Sequence, residues 1–164
     1  MITNSNNKEW LLSQLKWKVA NVTLLYRGSS HGWSSKNFHE CCDYESPTIT
    51  IMKSKAAKIF GGFTDESWDC KSRYKEDKDA FIFSIDRKKI QRVQSAKYSI
   101  YCHEDYGPSF GKRELILNNP LNKEDNGGCW TGWYEKEGGC VYGTINESEG
   151  NNEITGEGHK QSNN

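Results

Sequence analysis

Residues 80–85, Ala80-Phe81-Ile82-Phe83-Ser84-Ile85, form an almost unbroken apolar run. The run is too short for a helix that stands alone and suits a strand covered on both faces, which makes it the central strand. Other β-branched and aromatic runs lie around it: Ile49-Thr50-Ile51-Met52, Lys58-Ile59-Phe60, Ile90-Gln91-Arg92-Val93, Tyr98-Ser99-Ile100-Tyr101-Cys102 and Glu114-Leu115-Ile116-Leu117. Each pair is separated by turn chemistry, and the first two read as a hairpin. Gly61-Gly62 follows directly, the mark of a bulge or a close backbone approach. Several strands with few helices imply a mainly β (α+β) fold, an antiparallel sandwich or a related β-rich architecture.

Two helices flank these strands. Trp10, Leu11, Leu12, Leu15 and Val19 fit one apolar side of a short helix, and structure is expected from Lys8. Val22, Leu24 and Tyr26 then alternate as a strand would, until 27–32 breaks the pattern. Ser34 or Ser35 is placed to cap a helix over 36–42, with Phe38 and Cys41 or Cys42 on one face. The expected organisation is a frayed start at 1–7, one domain over 8–145 and a polar, flexible tail at 146–164, where Ile154 is the only aliphatic residue.

A chain of 164 residues buries about two-thirds of its unfolded surface, and six Trp, eight Tyr and six Phe supply core area that a 34% apolar average conceals. Lysine plus arginine equals aspartate plus glutamate at 22 each, which argues against nucleic acid or acidic lipid as partner. No run approaches a membrane span, and Met1-Ile2-Thr3-Asn4-Ser5-Asn6-Asn7 lacks the features of a signal peptide. The expectation is a cytoplasmic protein without membrane insertion, whose six cysteines are free thiols rather than a disulfide framework.

The residues able to carry chemistry are few. His39-Glu40-Cys41-Cys42 with Cys102-His103 offers ligands that zinc accepts, but there is no Cys-x-x-Cys pair, and on a strand Cys102 and His103 point to opposite faces. The reading is therefore no metal, with buried thiols and surface histidines. A nucleophile at Cys42 or Cys102, with His31, His39 or His103 as base, matches no local cysteine-protease signature, although either thiol is a candidate oxidant sensor. Gly61-Gly62 and the Gly107 to Gly111 spacing lack P-loop or dinucleotide chemistry, so no cofactor is expected. The carboxylates of Glu104-Asp105 and Asp77-Asp79 read as solvated turn charges, and Trp33, Trp68, Trp130 and Trp133 as core or rim packing before a ligand surface.

Ordered motifs carry a further indication. Leu25-Tyr26-Arg27-Gly28-Ser29, Phe38-His39 with Cys42-Asp43, Pro47-Thr48-Ile49, Phe60-Gly61-Gly62-Phe63-Thr64, Trp68, Asp79-Ala80-Phe81-Ile82-Phe83-Ser84 and Tyr106-Gly107-Pro108-Ser109-Phe110-Gly111 succeed one another in an order that resembles the TLDc domain of oxidation-resistance proteins. The sequence departs from the family pattern at Ser30-His31-Gly32, where Arg-Asp-Gly is usual, and at Glu153-Ile154, a reduced form of the closing strand. The resemblance implies a sandwich of two antiparallel sheets flanked by short helices. It also implies a role in oxidative-stress resistance and binding to the soluble sector of the vacuolar proton-pumping ATPase, with no established reaction and no catalytic residue to carry over.

Three functional readings follow. The favoured one is a non-enzymatic interaction domain with Arg27, Trp33 and Trp133 as candidate partner contacts. The second is a redox-active or catalytic protein using a reactive cysteine, which requires a depressed thiol pKa. The third is a degenerate copy that folds without partner binding.

Overall fold

The computed structural model describes residues 4–54, 57–112, 114–118, 121, 127–129 and 142, the backbone alone at 127–129. The doubly covered strand is β4 (Phe81–Ser84), interior to a sheet whose order is β1 (Thr48–Lys53), β2 (Ile59–Thr64), β4, β5 (Lys89–Arg92). A second antiparallel sheet runs β3 (Arg73–Lys75), β6 (Ile100–Cys102), β7 (Tyr106–Phe110), β8 (Leu115–Asn118), β9 (Gly127–Cys129). The result is the two-sheet sandwich, mainly β, that the sequence implied.

Side-chain alternation divides the interior into two clusters. Phe60 and Ile82 point between the sheets and meet Ile100, Cys102, Phe110 and Leu115 of the opposite sheet, with Trp68, Leu121 and Tyr142 closing the space. Phe63, Phe81 and Phe83 point the other way, where Leu11 of α1 (Ser5–Leu12) covers them together with Ile85. Each outward ring then has an apolar neighbour, and Phe63 stacks on its cross-strand partner Phe81 at 5.1 Å. The helix starts at Ser5, capped by the Asn4 side chain, earlier than the expected Lys8, and ends at Leu12, well short of Val19.

The hairpin of β1 and β2 pairs without a slip from Thr48↔Thr64 to Lys53↔Ile59, so Gly61-Gly62 marks close approach and not a bulge. A Cβ on Gly61 would lie 1.9 Å from the Thr50 carbonyl oxygen, and one on Gly62 2.5 Å from the Phe110 ring. Trp68, fully buried, packs edge-on against Phe38 and Phe110 and donates its Nε1–H to Thr48 Oγ1 at 3.0 Å.

Three local expectations are corrected. Residues 22–26 form no strand: Val22 and Leu24 are 64% and 63% exposed, and it is Leu25 and Tyr26 that pack on the central cluster. The break expected at 27–32 contains a one-turn helix, α2 (Gly28–His31), ended by Gly32 at φ +97°. The Asp77 carboxylate is buried rather than solvated, accepting bonds from Thr64 Oγ1 and from the amides of Asp65 and Asp79.

Candidate functional site

Helix α3 (Ser35–Cys42) forms where the capping signal placed it. Ser34 Oγ accepts from the Asn37 amide at 3.1 Å while the Asn37 side chain returns to the Ser34 backbone, a reciprocal cap. Phe38 and Cys42, four apart, face the core. His39, expected at the surface, is buried. Its Nε2 lies 2.9 Å from the carbonyl oxygens of both His103 and Tyr106, across the turn that joins β6 to β7. Carbonyls only accept, so the Nε2 carries hydrogen. Nδ1 faces Asp43 Oδ1 at 2.6 Å. Two contacts with the β6–β7 turn and one with Asp43 fix this ring in place.

Asp43 is the C-cap of α3 and forms a parallel bridge with Trp68, reinforced by the Tyr44 amide donating to the Trp68 carbonyl at 3.0 Å. That bridge brings Cys70 alongside, and its thiol donates to Asp43 Oδ2 at 3.4 Å. Partial desolvation, the bond to Asp43 and the charges of Asp43, Glu104 and Asp69 push this thiol up to about 11. His39, Asp43 and Cys70 therefore converge, with ligand atoms all within 4.8 Å of one another. The sequence groups His39 with Glu40, Cys41, Cys42, Cys102 and His103, whereas in the fold its neighbours are Asp43 and Cys70. The i, i+4 spacing of His39 and Asp43 was legible, whereas Cys70 arrives through a long-range bridge.

The candidate oxidant sensors sit elsewhere. Cys42 and Cys102 are both buried in the central cluster. Burial first, then the neighbouring Cys41, Asp43 and Glu45, pushes the Cys42 thiol up to about 12, and burial pushes Cys102 up to about 11. Neither site combines access with the lowered pKa that reactivity needs. Cys41, Cys42, Cys70 and Cys102 are free thiols.

The candidate contacts divide similarly. Trp33 is 44% exposed, with its ring lying over Gly28, where a Cβ would come within 2.3 Å. Arg27 caps α2 and its amide donates to His31 Nδ1 at 3.0 Å, so His31 serves the turn through its ring nitrogen. Both residues flank α2. Trp133 lies outside the described residues.

A larger aromatic surface went unread in the sequence. Tyr101 alternates with the inward Ile100 and Cys102, so it faces outward from the second sheet. It meets its cross-strand partner Tyr74 at 4.8 Å and continues to His103 at 5.9 Å and Tyr106 at 6.0 Å. Tyr98 closes on Tyr74 edge-on at 5.1 Å, with Lys112 Nζ 4.6 Å from its ring centre. Tyr74 sits on an edge strand and is 40% exposed. The His103 to Tyr106 end of this stripe is the turn that His39 holds.

The fold defines the class, a β-sandwich with a short capped helix tied to one turn of its second sheet. The chain belongs to the TLDc domain family, which matches residues 1–137. Among curated proteins it is similar to the MTOR-associated protein MEAK7. The Danio rerio protein is 32% identical over 62 residues, 38% of this chain and 14% of that protein. The Xenopus laevis protein is 27% identical over 117 residues, 70% of this chain and 21% of that protein. The Homo sapiens protein is 24% identical over 104 residues, 63% of this chain and 20% of that protein. The matches thus span about a fifth or less of these relatives. Among the described residues no helix is long and apolar enough to cross a membrane.

Proposed function

We propose that this chain is a protein-interaction domain that docks a partner on the outer face of its second sheet, through Tyr74, Tyr101 and Tyr106, with Arg27 and Trp33 as a further contact. The observation that carries the reading is the tyrosine stripe beginning on the β3 edge, because large aromatic rings with a polar tip and few rotatable bonds are the side chains that dominate interface energetics. The partner that the family resemblance supplies is the soluble sector of the vacuolar proton-pumping ATPase. A cytoplasmic location and a contribution to oxidative-stress resistance through that pump go with it. A second partner is favoured by a specific observation, the likeness to proteins named as MTOR-associated: an mTOR-containing complex. The thiol-based reading is weaker, since it needs a reactive thiolate and both named thiols are buried with raised pKa.

The test uses purified components. The full chain, a Tyr74→Ala/Tyr101→Ala variant and an Arg27→Ala/Trp33→Ala variant are titrated against the pump's soluble sector and against an mTOR complex. Binding to the pump sector, weakened about 30-fold or more in the tyrosine variant, is the expected result for two interface anchors. Equal binding by all three proteins would move the contact elsewhere. Binding to the mTOR complex alone would select the second partner, and no binding to either would sink both assignments.

A further inference from the structure

The convergence of His39, Asp43 and Cys70 has a chemistry that points to a cation. We propose that these three side chains form a zinc-class metal site, with His39 Nδ1, a carboxylate oxygen of Asp43 and Cys70 Sγ as ligands and a fourth position open to water. The first support is convergence itself. Three different ligand types from the helix, its C-cap and the segment after Trp68 lie with their donor atoms within 4.8 Å of one another. A tetrahedral zinc ion with bonds of about 2.0–2.3 Å separates its ligand atoms by roughly 3.3–3.8 Å. Cys70 Sγ and Asp43 Oδ2, 3.4 Å apart, already meet that spacing, and the 2.6 Å between His39 Nδ1 and the other carboxylate oxygen, Oδ1, needs to open by roughly 0.7 Å to reach its lower end.

The second support is the orientation of His39. A metal-bound histidine characteristically gives its other ring N–H to a backbone carbonyl or carboxylate, which fixes the ring and its tautomer. His39 Nε2 does this toward the His103 and Tyr106 carbonyls, leaving Nδ1 as the ligating nitrogen. The third is the donor set itself. A mixed nitrogen, oxygen and sulfur donor set suits zinc and selects against magnesium or calcium, which take oxygen ligands.

Binding balances in protons. The Cys70 thiol gives up its proton to solvent, His39 Nδ1 and Asp43 present lone pairs to the ion, and Nε2 keeps its hydrogen, with no change of oxidation state.

Cobalt(II) is the probe, added to the reduced full chain freed of metal by chelation, with zinc then used in competition. The expected result is sulfur-to-cobalt charge transfer saturating at one equivalent, tetrahedral visible bands, and displacement of both by zinc. Cys70→Ser replaces an exposed side chain and leaves the His39 contacts in place, and Asp43→Asn supplies an independent variant. Each should weaken zinc by at least the roughly 10–100-fold that even an outer-sphere change costs. Circular dichroism of both variants separates a lost ligand from a lost fold. Absence of the charge-transfer band in the wild type would overturn the site. Its persistence at full strength in a folded Cys70→Ser variant would do so as well, by assigning the metal to other thiols.

Discussion

Gly62→Ala tests the sandwich at its narrowest point. Gly62 has no positive φ, so its need for glycine is one of space alone. A Cβ there would lie 2.5, 2.6 and 2.7 Å from three atoms of the Phe110 ring, where carbon atoms pack at about 3.5–4.0 Å. The ring must retreat by about 1 Å. It has nowhere to go: Phe110 is fully buried, edge-on to Trp68 at 5.6 Å and to Tyr142 at 6.4 Å. Overpacking of this kind costs about 1–3 kcal/mol. Against it stands the 0.4–1 kcal/mol or so that Gly→Ala gains by restricting the unfolded chain. The clash wins, and the net loss is about 1–2 kcal/mol.

Urea unfolding should therefore show a lower midpoint at an unchanged slope, and the melting temperature should fall by about 2–8 °C. Phe110→Leu removes the obstructing ring atoms, so the cost of Gly62→Ala should largely vanish in that background. The double-mutant cycle should then give a coupling of about 1–2 kcal/mol. Gly61→Ala is the contrast, since its Cβ meets the Thr50 backbone oxygen at 1.9 Å and Phe110→Leu gives it no relief. A neutral Gly62→Ala, or costs that simply add with Phe110→Leu, would refute the packing argument.

Two further outcomes are expected. Burial alone would raise the Asp69 carboxyl, but Arg73, Lys75 and the Lys71 amide outweigh it and hold the pKa at about 2. A folded value below the unfolded one stabilises above about pH 4 and is lost as pH falls toward 2, so about 2 kcal/mol should disappear over that range, and Asp69→Asn should flatten this acid limb in urea titrations. The described free thiols should also alkylate unequally in the native protein: the exposed Cys70 is modified ahead of Cys42 and Cys102, which react only at the rate of unfolding, and fast labelling of either of those two by mass spectrometry would reopen the redox reading.

Much of the fold was legible because burial leaves a local trace. Phe81 to Ser84 reads as a central strand since both of its faces must find apolar cover, and β1, β2, β5, β6 and β8 show the same preference for β-branched and aromatic residues. The unread strands lack that trace. Arg73-Tyr74-Lys75 is a short charged edge, and Gly127-Gly128-Cys129 has turn composition. Strand β7 contains Pro108, which argues against a strand flanked on both sides, yet β7 lies between β6 and β8. The chain accommodates it where the β7–β8 register shifts, between Tyr106 and Ser109. Val22 and Leu24 misled for the opposite reason, an alternation that no sheet edge uses. At the site, the spacing of His39 and Asp43 was readable on one helix, but Cys70 and the Tyr74–Tyr101 pair depend on strand partners that only the folded chain supplies.

The two outer faces of the sandwich explain why the proposed interaction surface is placed on the second sheet. On the first sheet, Phe63, Phe81 and Phe83 turn outward and the chain spends its N-terminal helix covering them, with Leu11 buried and Trp10 and Leu15 packed at the margin. On the second sheet, the outward rings are tyrosines, whose hydroxyls tolerate water while the ring edges stack on one another from Tyr74 to Tyr106. Among the described residues, one face thus carries rings covered by the N-terminal helix, and the other carries tyrosines that tolerate water and would gain buried area under the proposed docking. Helix α3 adds rigidity at the far end of that stripe, because His39 fixes the His103 and Tyr106 carbonyls from beneath the turn. Rings held in position before contact lose little freedom on binding, which is the condition under which a small aromatic surface yields useful affinity.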